Sequence, residues 1–199
     1  GVNFYPEDFN PELVNDDEAV RVLSPYTKIN RMFQMDPANP PLPPAPPEEG
    51  QAPPPITEMF PLQSGQFVEL QGFSQAYRDL MQELTNELEQ AAKAIENEDA
   101  EFADYLRFRC MALNSDQYIE SDVKWLGLNS HLDIIIGPIE NYEDKLTGQK
   151  TSFEAYVLVR DQEWGEKLKK YVAMLPELQA GLPVDAAYKP SLGPEETKQ

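Results

Sequence analysis

A carboxylate, a carboxamide and a phenol follow one another in Glu140-Asn141-Tyr142, shortly after the mainly apolar residues 132–136 and a Gly137-Pro138 step. A carboxylate can pair with an ammonium group, and a phenol can donate to an oxyanion that develops in a transition state. Along an extended backbone Glu140 and Tyr142 share one face while Asn141 and Glu143 point the other way, because strand side chains alternate. The plainer alternative is an acidic turn at a strand end, with Tyr142 half-buried and Glu140 merely solvated. A calcium loop fits less well, since Glu140, Glu143 and Asp144 lack the spaced oxygen ligands and sharp-turn glycine of a helix-loop-helix site.

Other chemistry is sparse. His131 is the only histidine and Cys110 the only cysteine, so no set of imidazoles can hold a catalytic metal and no internal disulfide can form. His131, beside Asn129 and Ser130, reads as a turn or packing residue. No nucleophile elbow, phosphate-cradling glycine loop, paired-cysteine knuckle or H-E-x-x-H is present. The Nudix signature G-x5-E-x7-R-E-x-x-E-E-x-G-x-U is absent as well, so nucleotide hydrolysis is not expected. A formal charge of -19 repels phosphate backbones and anionic membranes. Nucleic acid is therefore not an expected partner, while a cationic peptide amino terminus is compatible with the charge.

The elements that must position residues 140–142 can be read from periodicity. Phe73, Tyr77, Leu80, Leu84, Leu88, Ala91 and Ile95 keep to steps of three and four after Ser74 as N-cap, which predicts one helix over 73–95. Phe102, Leu106, Cys110 and Leu113 predict a second helix to about residue 114, packed antiparallel on the first across an acidic turn. Cys110 lies on that stripe as a small buried hydrophobe. The run 132–136, mainly apolar and β-branched over Ile134 to Ile136, reads as a strand covered on both faces, which Gly137-Pro138 bends or ends. Residues 152–160 form a second strand with Phe153, Ala155, Val157 and Val159 on one face. Asp161 then caps a helix carrying Trp164, Leu168, Tyr171 and Leu175, closed by Pro176.

Upstream, Asn10-Pro11-Glu12 suits the start of a short helix. Eleven of the 25 residues in 37–61 are proline, which reads as a loop or linker. The division expected is a packing segment over 1–36, the Pro-rich stretch 37–61, a helical and β lobe over 62–190 and a tail over 191–199. The fold class is α+β: helices on a small, mainly antiparallel, barrel-like sheet. Two strands make no independent sheet in water, so early residues or a partner must complete it. No charged-then-apolar leader is visible, which favours the cytoplasm; a periplasmic or exported place stays open because the chain begins at Gly1.

The stretch Leu132-Asp-Ile-Ile-Ile-Gly-Pro-Ile-Glu-Asn-Tyr-Glu-Asp144, followed by Lys150-Thr-Ser-Phe-Glu-Ala-Tyr-Val157, resembles the bacterial branch of the dipeptidyl-peptidase III family of zinc metallopeptidases. Val2-Asn-Phe-Tyr-Pro-Glu-Asp8, Ser121-Asp-Val-Lys-Trp-Leu126 and Leu175-Pro-Glu-Leu-Gln-Ala-Gly-Leu-Pro-Val184 extend the resemblance over nearly the whole chain, and the Pro-rich run looks like an expanded family loop. It implies a two-lobed enzyme that removes dipeptides from peptide amino termini, with zinc held by an H-E-x-x-G-H-type helix motif and a later Glu in the other lobe. Neither zinc element occurs here, so the chain is expected to be the mainly non-zinc lobe, without a cofactor of its own and inactive alone. Its implied partners are a peptide with a free amino terminus and the zinc-binding lobe. The resemblance assigns Glu140 to the substrate's amino group and Tyr142 to transition-state stabilisation; Asn141, between them, is a further candidate for substrate binding. The rival expectation is a non-catalytic peptide- or protein-binding module derived from that family. A parent reading frame running on into a zinc motif would favour the enzyme part, and a stop codon the module.

Overall fold

Polar caps and short apolar repeats set the first elements of the chain. The computed structural model describes residues 4–34, 36 and 58–189. Asn10 caps a single 3-10 turn, Pro11–Leu13, in place of the helix expected there. The first α-helix, α1 (Asp16–Val22), starts from a reciprocal capping box between Asn15 and Glu18. Strands β1 (Thr27–Gln34), β2 (Glu58–Pro61) and β3 (Gln66–Gly72) then form an antiparallel sheet in the order β1-β3-β2. Its inner side chains Ile29, Val68 and Leu70 join Phe9, Val22, Met32 and Leu62 in one buried cluster. Burial of each such aliphatic side chain contributes about 1.5–3 kcal/mol.

These early strands do not extend the sheet that carries residues 132–160; they build a second one. The boundary expected at 61/62 falls between β2 and β3, which pair with each other. Residues 37–57 of the Pro-rich stretch, and the tail from 190, lie outside the described residues.

The helix expected over 73–95 is two: α2 (Phe73–Ala76) and α3 (Arg78–Ile95), broken at Tyr77. Gly72 occupies the N-cap position, and Ser74 instead binds the Asp116 carboxylate through its backbone N–H and hydroxyl. The buried face of α3 is Met81, Thr85, Leu88 and Ala92, whereas Leu80 and Ala91 face solvent. Thr85 is tolerated inside because its hydroxyl donates to Met81 O. α4 (Ala100–Ser115) follows the acidic turn, capped by Asp99, and packs on α3 with Phe102, Leu106, Cys110 and Leu113 buried as expected. Burial raises the Cys110 thiol to about 11, which makes it an inert packing group. α5 (Ile119–Leu126) leads into the second sheet.

That sheet is an antiparallel pair, β4 (Leu132–Glu140) and β5 (Ser152–Val159). Leu132, Ile134, Ile136 and Phe153 lie against the helical core. β4 is only half-buried over 132–136, so the strand is covered on one side and not on both. Phe73 is fully buried between the N-terminal segment and the second sheet: its ring meets Phe4 at 6.0 Å and Phe153 at 5.8 Å. Among the described residues the architecture is α+β with two open antiparallel sheets rather than a closed barrel. Beyond β5, Asp161 caps α6 (Gln162–Val172) as expected, but Pro176 opens α7 (Leu175–Ala180) instead of closing a helix.

Candidate functional site

Pairing continues through Gly137-Pro138 and ends two residues later, at Glu140. Gly137 takes φ +146, a region open to glycine and closed to most L side chains, while Tyr118 and Arg109 close in on its Cα side. The register then slips: Pro138 pairs with Phe153, Glu140 with Ser152, and Ile139 is the extra residue of a bulge. The slip decides which way Glu140 points. Without it Glu140 would share the core-facing side of Pro138 and Phe153; with it, Glu140 joins Ser152, Glu154 and Tyr156 on the outer face.

Tyr142 reaches the same face by another route. Residues 141–148 form turns rather than a strand, so the alternation expected across 140–142 does not operate. The Tyr142 hydroxyl instead donates to Glu154 Oε1 at 2.8 Å, and Tyr156 donates to the other oxygen of the same carboxylate at 2.7 Å. Glu154, clamped by two phenols, is held below the usual carboxylate range by those bonds, Tyr156 first. Tyr142 rises to about 12, chiefly because its proton is held by Glu154, with the Glu140 charge adding to the effect. Glu140, Tyr142, Glu154 and Tyr156 thus form one acidic, phenol-bearing cluster. Asn141 is turned away from it: its amide donates to Gly148 O at 2.7 Å and closes the turn, whose Gly148 has φ +66.

The turn is fixed from below by two buried charges. Asp144 is pushed up by burial but pulled further down by the groups that donate to it. Lys150 N–H and the Tyr5 and Thr147 hydroxyls act with the N–H groups of Leu146, Thr147 and Gln149. Lys150, with no exposed surface, donates its three ammonium hydrogens to Val22 O, Ser24 O and Thr27 Oγ1 at 2.7, 3.0 and 2.7 Å. Burial lowers this ammonium to about 7, against the opposing pull of Asp144. The pair ties the 141–150 turn to α1 and the start of β1, so the N-terminal segment acts as the turn's support.

Glu154 and Tyr156 are not among the residues expected at the site. Their signal was the polar alternation Ser152, Glu154, Tyr156 opposite the apolar Phe153, Ala155, Val157. Lys150 gave none, since a lysine in a polar stretch reads as solvated. His131 is exposed in a bend, and its carbonyl accepts from Arg160 N. Among the described residues no group of three His, Cys, Asp or Glu side chains is placed to hold a metal. The cluster is an open surface. The groove between α3 and α4 and the depression lined by Arg21, Thr27, Glu58 and Leu70 are both formed without Glu140 or Tyr142.

Comparison with known proteins matches residues 57–191 to the model of Peptidase family M49. The solved structure of DPP III from Caldithrix abyssi superimposes with a TM-score of 0.67 at 31% identity, covering 96% of this chain and 31% of that one. Dipeptidyl-peptidase III from Corallococcus sp. strain EGB gives a TM-score of 0.61 at 24% identity over 96% of this chain and 30% of that one, a likeness of fold. Nudix hydrolase 3 of Arabidopsis thaliana is 33% identical over 117 residues, 59% of this chain and 15% of that protein. The chain therefore spans about a third of the length of the two solved relatives.

Proposed function

The chain belongs to peptidase family M49, and from that premise we propose that it forms the substrate-binding part of a dipeptidyl-peptidase III-like hydrolase acting at peptide amino termini. The observation that supports this reading most is the convergence of Glu140, Tyr142 and Glu154 on one outer face at the end of β4 and β5. M49 is a family of zinc metallopeptidases, but the donors in this chain do not fit the metal: one histidine is present, and no ligand group is assembled among the described residues. Zinc and its ligands are assigned to protein outside this chain, and the chain alone is expected to release no dipeptides.

The residues present have separate tasks. Glu140 pairs with the substrate's free ammonium group; such a bond contributes about 0.5–1 kcal/mol on an open face and about 1.5–3 kcal/mol once water is excluded. Tyr142 keeps its proton at neutral pH and can redirect its hydrogen bond from Glu154 to an oxyanion forming in the substrate. Glu154 holds the phenol in place until then, as a positioning residue. Asn141, turned away from the cluster with its amide nitrogen on Gly148 O, closes the turn that carries Tyr142 and is given no contact with the substrate.

The test is an NMR titration of the labelled chain with tetra-alanine and with its N-acetylated form. Shifts should map to 140–142 and 154–156 with the free amine, weaken at least fivefold on acetylation, and lose that discrimination in Glu140→Gln. Equal binding of the two peptides would overturn the reading.

A further inference from the structure

The helices cover one half of an apolar sheet face and stop. Leu132 and Ile134 rest on the helical core, and their cross-strand partners Val159 and Val157 stand on the same face by register. Yet Val157 is 75% and Val159 74% exposed. Among the described residues β5 has one hydrogen-bonded neighbour, β4, and an isolated two-stranded sheet is marginal in water. The chain that follows continues the pattern. Trp164, Leu168, Tyr171, Leu175, Leu178 and Leu182 recur at steps of four and three, the spacing of a face that packs on another element. Each is about half exposed or more. At the flank of this stripe Lys167 pairs with Glu163 and lies over the Trp164 ring, while Lys169 pairs with Glu166 on the solvent side of α6.

We infer that this bare face is an internal interface of the complete family fold. Its occupant is the part of an M49 protein that lies outside the third matched here. That part adds a strand to the free edge of β5 and packs over Val157, Val159 and the stripe on α6 and α7. The occupant follows from three observations. The Caldithrix abyssi relative contains this fold over 96% of the present chain while about two thirds of its own length lies outside the match. A charge of -19 on each copy opposes a second copy as the occupant, and it also repels an anionic membrane. Apart from Lys167 and Lys170, whose ammonium groups lie over the Trp164 and Tyr171 rings, the face is apolar, as the halves of a folded core are. The inference rests on family membership and is independent of the role given to Glu140, because the bare face and the site occupy opposite sides of the same sheet.

Sedimentation velocity tests it with this chain and the Caldithrix abyssi protein produced without its matched third; the relative's own matched third serves as reference. A one-to-one complex is expected. Val157→Glu with Leu168→Glu should weaken it at least tenfold, and Leu80→Glu, on an exposed position of α3 away from the face, should leave it unchanged. Both variants alter exposed residues and should unfold at the wild-type temperature. Hydrogen exchange gives a second measurement on proteins as they stand: β5 amides should exchange quickly in this chain, and those of the matching strand in the intact relative at least tenfold more slowly. The inference is overturned if the reference third binds and this chain does not. It is also overturned if binding survives the double substitution, if the chain forms a homodimer through these residues, or if the strand in the intact relative exchanges as fast as β5.

Discussion

The two sheets of this molecule obey the same pairing rules and end in different states. In the first, β1, β3 and β2 bury Ile29, Val68 and Leu70 almost completely against α1 and the N-terminal segment. In the second, β4 leans on the helices while the apolar side of β5 stays in water. The first sheet is a finished core, and the second is half of one. The difference separates support from candidate site: the chain covers the inner face of its first sheet by itself and leaves half of the second, which carries the candidate site, uncovered.

Paired substitutions probe that contrast most strongly. Leu70→Ala in β3 should cost about 2–5 kcal/mol, whereas Leu158→Ala in β5, nearly half exposed, should stay within about 0.5 kcal/mol. Urea unfolding followed by circular dichroism measures both, and equal losses would erase the distinction between the sheets. A complete enzyme containing this chain should lose roughly a hundredfold in kcat on Tyr142→Phe with little change in KM, as expected of a donor that acts on the developing oxyanion. Parallel losses in both constants would make Tyr142 an ordinary contact.

The support beneath the site has a pH signature. Lys150 titrates near 7 in the folded protein and near 10.5 when unfolded, so between these values only the unfolded chain holds the extra proton. Stability should therefore increase from pH 7 toward pH 9 and gain nothing from this group below pH 7. Lys150→Met should flatten the rise, as followed by melting temperature against pH; an unchanged slope would show that the N-terminal support does not depend on this ammonium. The smallest effect concerns the site alone. In Glu154→Gln the Tyr142 phenol loses its charged acceptor and should titrate below its value of about 12, back toward 10, as read by carbon NMR of labelled tyrosine rings.

Helices were more legible than strands in this sequence, for physical reasons. The stripe from Phe102 to Leu113 gave α4 because every third or fourth residue meets one neighbour, α3. On α3 the same reading erred by one position, favouring Leu80 and Ala91 over Met81 and Ala92, because a helix rich in Leu and Ala carries two apolar stripes and only packing selects one. β1 and β3 were illegible: Lys28, Arg31 and Glu69 interrupt their apolar positions, and a register shift between Ile29 and Arg31 breaks the alternation of β1. The site was legible in residue type and not in geometry. Glu140 and Tyr142 stood out as chemistry following a strand, but the bulge at Ile139 and the hydrogen bond to Glu154 bring them together, and neither follows from strand alternation. The stripe from Trp164 onward read as one helix; it is divided between α6 and α7 at residues 173–174, and no residue of either helix is buried.

The central claim is that the two sides of β4 and β5 do different things, one receiving a peptide amino terminus and the other receiving protein. Paramagnetic broadening with a tetrapeptide that has a free amino terminus and a nitroxide at its carboxyl end tests it directly. Broadening should centre on Glu140, Tyr142 and Glu154 and spare Val157 and Val159. Broadening centred on Val157 and Val159, or in the groove between α3 and α4, would contradict it.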